Sequence, residues 1–257
     1  MKGGEVEGHA QSLRCVVVAT MIVASMCCAR SVFGDENPGK SSSSTVTQIV
    51  TFGSDEGRKL LKDAAYCESY WLLAPCHVCQ SDLSSCGVAS SCAVLNSLKC
   101  DRPQSSELGK YRWFTPENLF SPEVSAIVTR DKVARSGMTL QQLGKLLAVF
   151  SVDVETKHAS DVSIDDFRKQ LKRSLSSKNQ RVIVNYSRPV LSQEGGGHIS
   201  PLGAYNDRDD MVLVLDTASY KYPWTWVPLE NMWRAMSEQV DRESGRTRGF
   251  IVVTERE

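Results

Sequence analysis

Gln80, Cys86, His198 and Asp216 are the residues of this sequence whose types and order could break and remake an acyl bond. In such chemistry a thiolate attacks, an imidazole takes and returns the proton, a carboxylate holds the imidazole in one tautomer, and a side-chain amide donates to the oxyanion. Cys86 stands where the polar stretch Ser81-Asp-Leu-Ser-Ser85 gives way to small and apolar residues (Val88, Ala89, Cys92, Val94, Leu95, Leu98) at helical intervals. Ser84 or Ser85 is the expected N-cap, which puts Cys86 in a helical first turn. Unpaired N–H groups and the helix dipole favour an anion there, and a thiolate rather than a thiol is the nucleophile. Gln80 precedes it on the same loop, placed to donate to an oxyanion. The plain alternative is that Cys86 fills core, as free cysteines often do, and it is a nucleophile only if a base arrives from elsewhere in the chain.

The elements that must deliver that base change character along the sequence. Between Cys86 and about Asn179 the pattern is mostly helical. Thr115-Pro116 supplies an N-cap and a proline at the first helical position, Thr139 to Ala148 spaces leucines helically, and Ser163-Ile-Asp-Asp166 is a capping box opening a helix to Leu175. Phe150 to Val154 reads as a short strand between helices. From Arg181 the residues are strand-like: Val182–Tyr186, His198–Tyr205, Met211–Asp216 and Gly249–Val253, punctuated by Gly195-Gly-Gly197 and Asn206-Asp-Arg-Asp-Asp210. A helical half followed by an antiparallel sheet half is an α+β arrangement. In it His198 opens a strand after three glycines and Asp216 ends the next, so a hairpin brings imidazole and carboxylate within reach. His77 and His158 are rival bases; the first is crowded by the loop before Cys86, and the second lacks a strand-paired carboxylate. Cys, His and Asp in this order follow the papain-like pattern, with Asp in the third place.

The 257 residues are 41% hydrophobic and 23% charged with a formal net charge of +0, enough for one sizeable domain and without the basic stripe a nucleic-acid partner needs. Cys15 to Ala29 is an apolar run too short for a membrane span but suited to a signal-peptide core. Residues 1–34 are therefore expected to be a secretory signal, with an uncleaved membrane anchor or an organellar leader as alternatives, and the protein to be exported to a periplasm or lumen. Residues 35–47, with Pro38, Gly39 and a run of serines, read as linker, and 48–257 as the catalytic domain. Cys15, Cys27 and Cys28 would leave with the leader. Cys67, Cys76, Cys79, Cys92 and Cys100 then remain beside Cys86, an odd set whose redox state the sequence leaves open. Cys76-His77-Val78-Cys79 has the spacing of zinc and redox motifs, but no second pair follows at zinc-ribbon spacing, so metal ligands stay unassigned.

Segments along the whole of the last region carry a resemblance: Gln80-Ser81, Cys86-Gly-Val-Ala-Ser90, Val94-Leu-Asn96, Arg112-Trp-Phe114, Gly196-Gly-His-Ile-Ser-Pro-Leu202, Lys221-Tyr-Pro223, Trp226-Val-Pro228 and Arg248-Gly-Phe250. In order, over about residues 48 to 254, the sequence resembles the catalytic domain of phytochelatin synthases, the glutathione γ-glutamylcysteinyltransferases. The resemblance implies a papain-like fold and a Cys86, His198, Asp216 triad, with Gln80 at the oxyanion and Asn185 and Arg248 at positions that hold the γ-glutamyl end. It implies that the thiolate attacks the Cys-Gly bond of glutathione, that glycine leaves, and that γ-Glu-Cys stays as a thioester until a second glutathione or water takes it. No cofactor is implied for the acyl-enzyme step. A thiophilic metal (Cd, Zn or Cu) is implied as activator or as part of a metal-glutathione thiolate co-substrate, in heavy-metal detoxification; a homodimer is left open.

One position departs from the family pattern. The arginine three residues after the family's catalytic Asp is Ser219 here, which removes a guanidinium from carboxylate recognition that Lys221 could not copy in geometry. With the sequence ending at Glu257, the resemblance implies a form without the Cys-rich C-terminal domain of plant and yeast forms, expected to be similar to short bacterial forms in which hydrolysis competes strongly with chain extension. A purely hydrolytic peptidase of glutathione or its conjugates is the nearest alternative. A transglutaminase-like enzyme generally has a shorter Cys-to-His interval, and a non-enzymatic thiol metal-binding protein leaves Gln80, His198 and Asp216 without a role.

Overall fold

Strand β3 (Gln180–Ser187) shows why helices must flank the sheet on both sides: Val182, Val184 and Tyr186 pack into one core and Ile183 into another. A strand that is apolar on both faces has to be covered on both. The computed structural model describes residues 48–256, so the leader and linker expected over residues 1–34 and 35–47 lie outside the described residues. Seven antiparallel strands form one sheet in the order β1 (Val50–Thr51), β6 (Thr225–Pro228), β5 (Met211–Val214), β4 (Gly197–Asn206), β3, β7 (Gly249–Glu255) and β2 (Val152–His158). One face is covered by α1 (Asp55–Asp63), α2 (Glu68–Leu73), α3 (Cys86–Asn96), α4 (Pro122–Ile127), α5 (Arg130–Ser136) and α6 (Leu140–Leu147). The other is covered by α7 (Ile164–Leu175) and α8 (Leu229–Ser237), through Phe167, Leu171, Met232 and Met236.

The expected α+β class is therefore present, but its helices and strands are not two successive halves. β1 and β2 come from the helical part of the chain, and α7 and α8 close the far face of the sheet. The Phe150–Val154 strand is displaced to Val152–His158, and the strand expected to end at Asp216 stops at Val214, leaving Asp216 just beyond it. The helix expected from Thr115 is only one turn. Thr115 and Asn118 do exchange the anticipated cap bonds, at 2.8 and 3.4 Å. Pro122, however, keeps Ser121 extended (φ −62°, ψ 168°), and Ser121 starts α4 as its N-cap instead. Helix α7 is capped by Ser163 with the expected capping box, and α6 is capped by Thr139 with a second capping box that its leucine spacing had not announced.

Helix α3 has no polar face to show to water. All 11 of its residues are buried and none is charged, so it lies as a central helix against β4, where Ser90 Oγ donates to Ile199 O at 3.1 Å. This contact fixes the relation between the start of α3 and the start of β4, the two places where the chemistry is expected.

Candidate active site

Cys86 is the first residue of α3. Ser85 is its N-cap, but the Ser85 hydroxyl makes no cap bond to the helix and instead accepts from Asp82 N at 3.3 Å. The N–H groups of the first turn thus keep their capacity to bind an anion. His198 sits on β4 opposite Tyr186 of β3, and the two rings meet edge to face with centroids 5.6 Å apart. Its Nε2–H donates to Asp216 Oδ1 at 2.9 Å, and it lines the same cavity as Cys86. Burial opposes a charge on His198, yet Asp216 and the nearby Cys86 sulfur outweigh it and raise the imidazole above the usual histidine range. Cys86, His198 and Asp216 therefore come together in the expected order.

Asp216 is fully buried and does not rely on His198 alone. Arg188 Nη2 donates to its two oxygens at 2.9 and 2.8 Å, and Ala218 N donates to Oδ1 at 2.8 Å. Burial alone would raise this carboxyl, but His198, Arg188 and the Ala218 N–H hold it below the ordinary aspartate range. Arg188 is in turn held by Gln193 Oε1 at 2.7 Å and by the Tyr222 ring, 4.8 Å from its centroid. Sequence reasoning missed Arg188. The available signal was a charged residue directly after the strand Gln180–Ser187, in the connection that leads through Gly195–Gly197 to His198.

Of the rival histidines, His158 Nδ1–H donates to Thr247 O at 2.6 Å and its Nε2 faces Gln141 at 3.1 Å, so it is a satisfied structural residue on β2. His77 faces Ser219 Oγ at 3.1 Å and packs against Trp224, and burial lowers it. Neither is bonded to Cys86. Gln80 lies at the mouth with both amide hydrogens engaged: Nε2 donates to Asp82 O at 2.6 Å and to the Tyr220 hydroxyl at 3.2 Å, while Oε1 accepts from Thr217 Oγ1 at 3.2 Å.

Two cavities meet at His198. The first, of about 170 Å³, is lined by Cys86, His198, Asn185, Asp241, Arg248 and the Ser136–Met138 loop. Arg248 Nη1 donates to Asn185 Oδ1 at 2.7 Å, whereas its Nε is buried without a partner among the described residues. A buried guanidinium edge left unbonded asks for an anionic ligand. Asp241, on the opposite charge sign, sits in the loop after α8, and no feature of the sequence pointed to it. The second cavity, of about 250 Å³, is lined by Gln80, Arg188, Glu194, His198, Tyr220 and Lys221. The six cysteines among the described residues are free thiols, and no group of three or more His, Cys, Asp or Glu there is placed to hold a metal ion.

Comparison with known proteins shows what the chain is similar to. A family model described as phytochelatin synthase matches residues 41–250. Glutathione gamma-glutamylcysteinyltransferase 1 of Lotus japonicus is 38% identical over 208 residues, which is 80% of this chain and 40% of the relative. Glutathione gamma-glutamylcysteinyltransferase 2 of Arabidopsis thaliana is also 38% identical over 80% of this chain and 44% of its own length. The glutathione gamma-glutamylcysteinyltransferase of Schizosaccharomyces pombe is 32% identical over 209 residues, 80% of this chain and 49% of the relative. The chain thus spans less than half the length of these curated relatives.

Proposed function

The chain belongs to the phytochelatin synthase family, and we propose that it is a glutathione γ-glutamylcysteinyltransferase working on a papain-like arrangement of helix and sheet. The observation that carries this reading is the first cavity: a thiol and the imidazole that Asp216 holds share it with one cationic and one anionic side chain, Arg248 and Asp241. A γ-glutamyl head is a zwitterion. Its α-carboxylate suits the free edge of Arg248, which Asn185 holds in place, and its α-ammonium suits Asp241.

With the donor so placed, His198 takes the Cys86 proton and Sγ attacks the carbonyl carbon of the Cys-Gly bond. The oxyanion is stabilised by the first-turn N–H groups of α3 and by Gln80. One Gln80 N–H is spent on Asp82 O; the other now meets the hydroxyl of exposed Tyr220, which the substrate oxygen displaces. The imidazolium then gives its proton to the departing glycine nitrogen, and the C–N bond breaks to leave a γ-Glu-Cys thioester on Cys86. His198 next removes a proton from the amine of a second glutathione or from water, and the thioester bond breaks with the proton returning to the thiol. The second cavity, on the other side of His198, takes the glycine end and then the acceptor. Thiophilic metals (Cd, Zn or Cu) enter as glutathione thiolates, that is, as part of a substrate.

Mass spectrometry of products from purified protein and glutathione, with and without cadmium, tests the reading. Glycine, γ-Glu-Cys and (γ-Glu-Cys)₂-Gly are expected, with a γ-Glu-Cys adduct on Cys86. Intact glutathione under all conditions would overturn it.

A further inference from the structure

Asp241 stands on a strap, residues 238–248, that joins α8 to β7 and is closed by a bridge between Val240 and Thr247. The strap turns back on itself through this residue. Asp241 N donates to Arg246 O at 2.8 Å, Gly245 N donates to Asp241 O at 2.9 Å, and Ser244 Oγ donates to Asp241 Oδ2 at 2.9 Å. Among the described residues Oδ1 accepts no hydrogen bond, which leaves it for the cavity. Gly245, at φ 67°, supplies the left-handed residue that so tight a return requires.

Two residues beyond Asp241, Glu243 is bonded to both α5 and α6. Lys132 Nζ of α5 donates to Glu243 Oε2 at 2.8 Å, and Gln142 Nε2 of α6 donates to Oε1 at 3.4 Å. Lys132 Nζ also donates to Ser136 Oγ at 2.6 Å, and Ser136, Gly137 and Met138 form the wall that faces Asp241. Gln142 is itself held by the capping box at Thr139. One carboxylate therefore ties the strap bearing Asp241 to both helices that frame the opposite wall. Glu243 does not line the cavity, and no step of acyl transfer calls for it.

We infer that Glu243 is a positioning residue: through Lys132 and Gln142 it holds the strap at the distance where Asp241 meets the α-ammonium of the donor, and so sets affinity for γ-glutamyl substrates. The inference rests on the reading of Asp241 as the partner of that ammonium. The Lys132–Glu243 pair is partly exposed, with side chains 37% and 35% accessible, so it acts as a modest, salt-screened clamp rather than a rigid lock.

The test compares glycine release from glutathione and from glutarylcysteinylglycine, which lacks the α-amino group, at low ionic strength with the full chain. Glu243→Ala is expected to raise KM for glutathione about three- to fivefold, the size of a surface ion pair, with kcat within about twofold of the parent. KM for the glutaryl donor should stay put. The reversed pair Lys132→Glu/Glu243→Lys should bring KM for glutathione back toward the parent. A KM for glutathione that does not move, or that rises equally for both donors, overturns the inference. Asp241→Asn separates the two levels. If it fails to distinguish the donors, the reading of Asp241 falls and this inference with it; if it distinguishes them and Glu243→Ala does not, only the positioning role is lost.

Discussion

Asp216 carries the heaviest electrostatic load in the site, because one buried carboxylate serves both as orienter of His198 and as counter-charge of Arg188. The imidazolium of His198 is stabilised by Asp216 and by Cys86, so the alkaline limb of kcat/KM for glycine release should lie above the ordinary histidine value. In Asp216→Asn the amide can still accept from Nε2–H but no longer stabilises the cation, so the proton leaves at lower pH and the limb moves down. A pH profile of the two proteins checks this; an unmoved limb would assign it to another group. The same substitution leaves the Arg188 guanidinium buried beside a neutral amide, which costs about 3 kcal/mol or more and should show as a lower melting temperature. His198→Ala should lose about 10²–10⁴ in rate, more than Asp216→Asn, and Cys86→Ser should lose the covalent adduct altogether. Wild-type glycine release from Cys86→Ser would remove the thioester from the scheme.

At the scale of elements, two contacts hold the site from its edges. Gly197 opens β4, and a Cβ there would collide with the Arg248 guanidinium, so its glycine is a matter of space for that side chain. If Arg248 holds the γ-glutamyl carboxylate as proposed, Gly197→Ala should push it away and raise KM for glutathione by about tenfold, the worth of a charge-assisted hydrogen bond, with the melting temperature little changed. Steady-state kinetics and a thermal melt separate this from general damage. At the other end of α3, fully buried Arg181 donates to Ser97 O at 2.8 Å and Ser97 Oγ at 2.9 Å, and to the carbonyl of Lys178 at 3.2 Å. Burial pushes its pKa down to about 10, so the charge is kept at neutral pH by a cage of carbonyls. Arg181→Met leaves those carbonyls unbonded and should destabilise the fold by about 3 kcal/mol, measurable by denaturant unfolding, while the chemistry at the N-terminal end of α3 persists.

For the whole molecule, the proposed reaction sets transfer and hydrolysis in competition for one thioester. Water needs no binding site, whereas an acceptor glutathione has to be held with its amine in line. Ser219 donates its hydroxyl to Asp216 O at 3.2 Å and faces His77, and so presents no positive charge to an acceptor carboxylate. Hydrolysis to γ-Glu-Cys should therefore dominate without metal, and Ser219→Arg should raise the ratio of (γ-Glu-Cys)₂-Gly to γ-Glu-Cys at a given glutathione concentration. A ratio already high in the parent, or unmoved by the substitution, would place acceptor binding elsewhere. The order Gln80, Cys86, His198, Asp216, the helix that starts at Cys86, the leucine spacing of α6, the capping box of α7 and the strands around His198 were all legible in the sequence, since each rests on local periodicity, capping or turn chemistry. The three-layer order of the sheet, Arg188 behind Asp216 and Asp241 across from Arg248 were not, because they join residues far apart in the chain. The β-bulge between Leu202 and Ala204 belongs with them: it shifts β4 by one residue against β5, a register that local sequence does not specify. Local pattern determined what the residues can do; only tertiary packing, through pairings whose energies exist once distant strands and helices meet, decided which of them meet to do it.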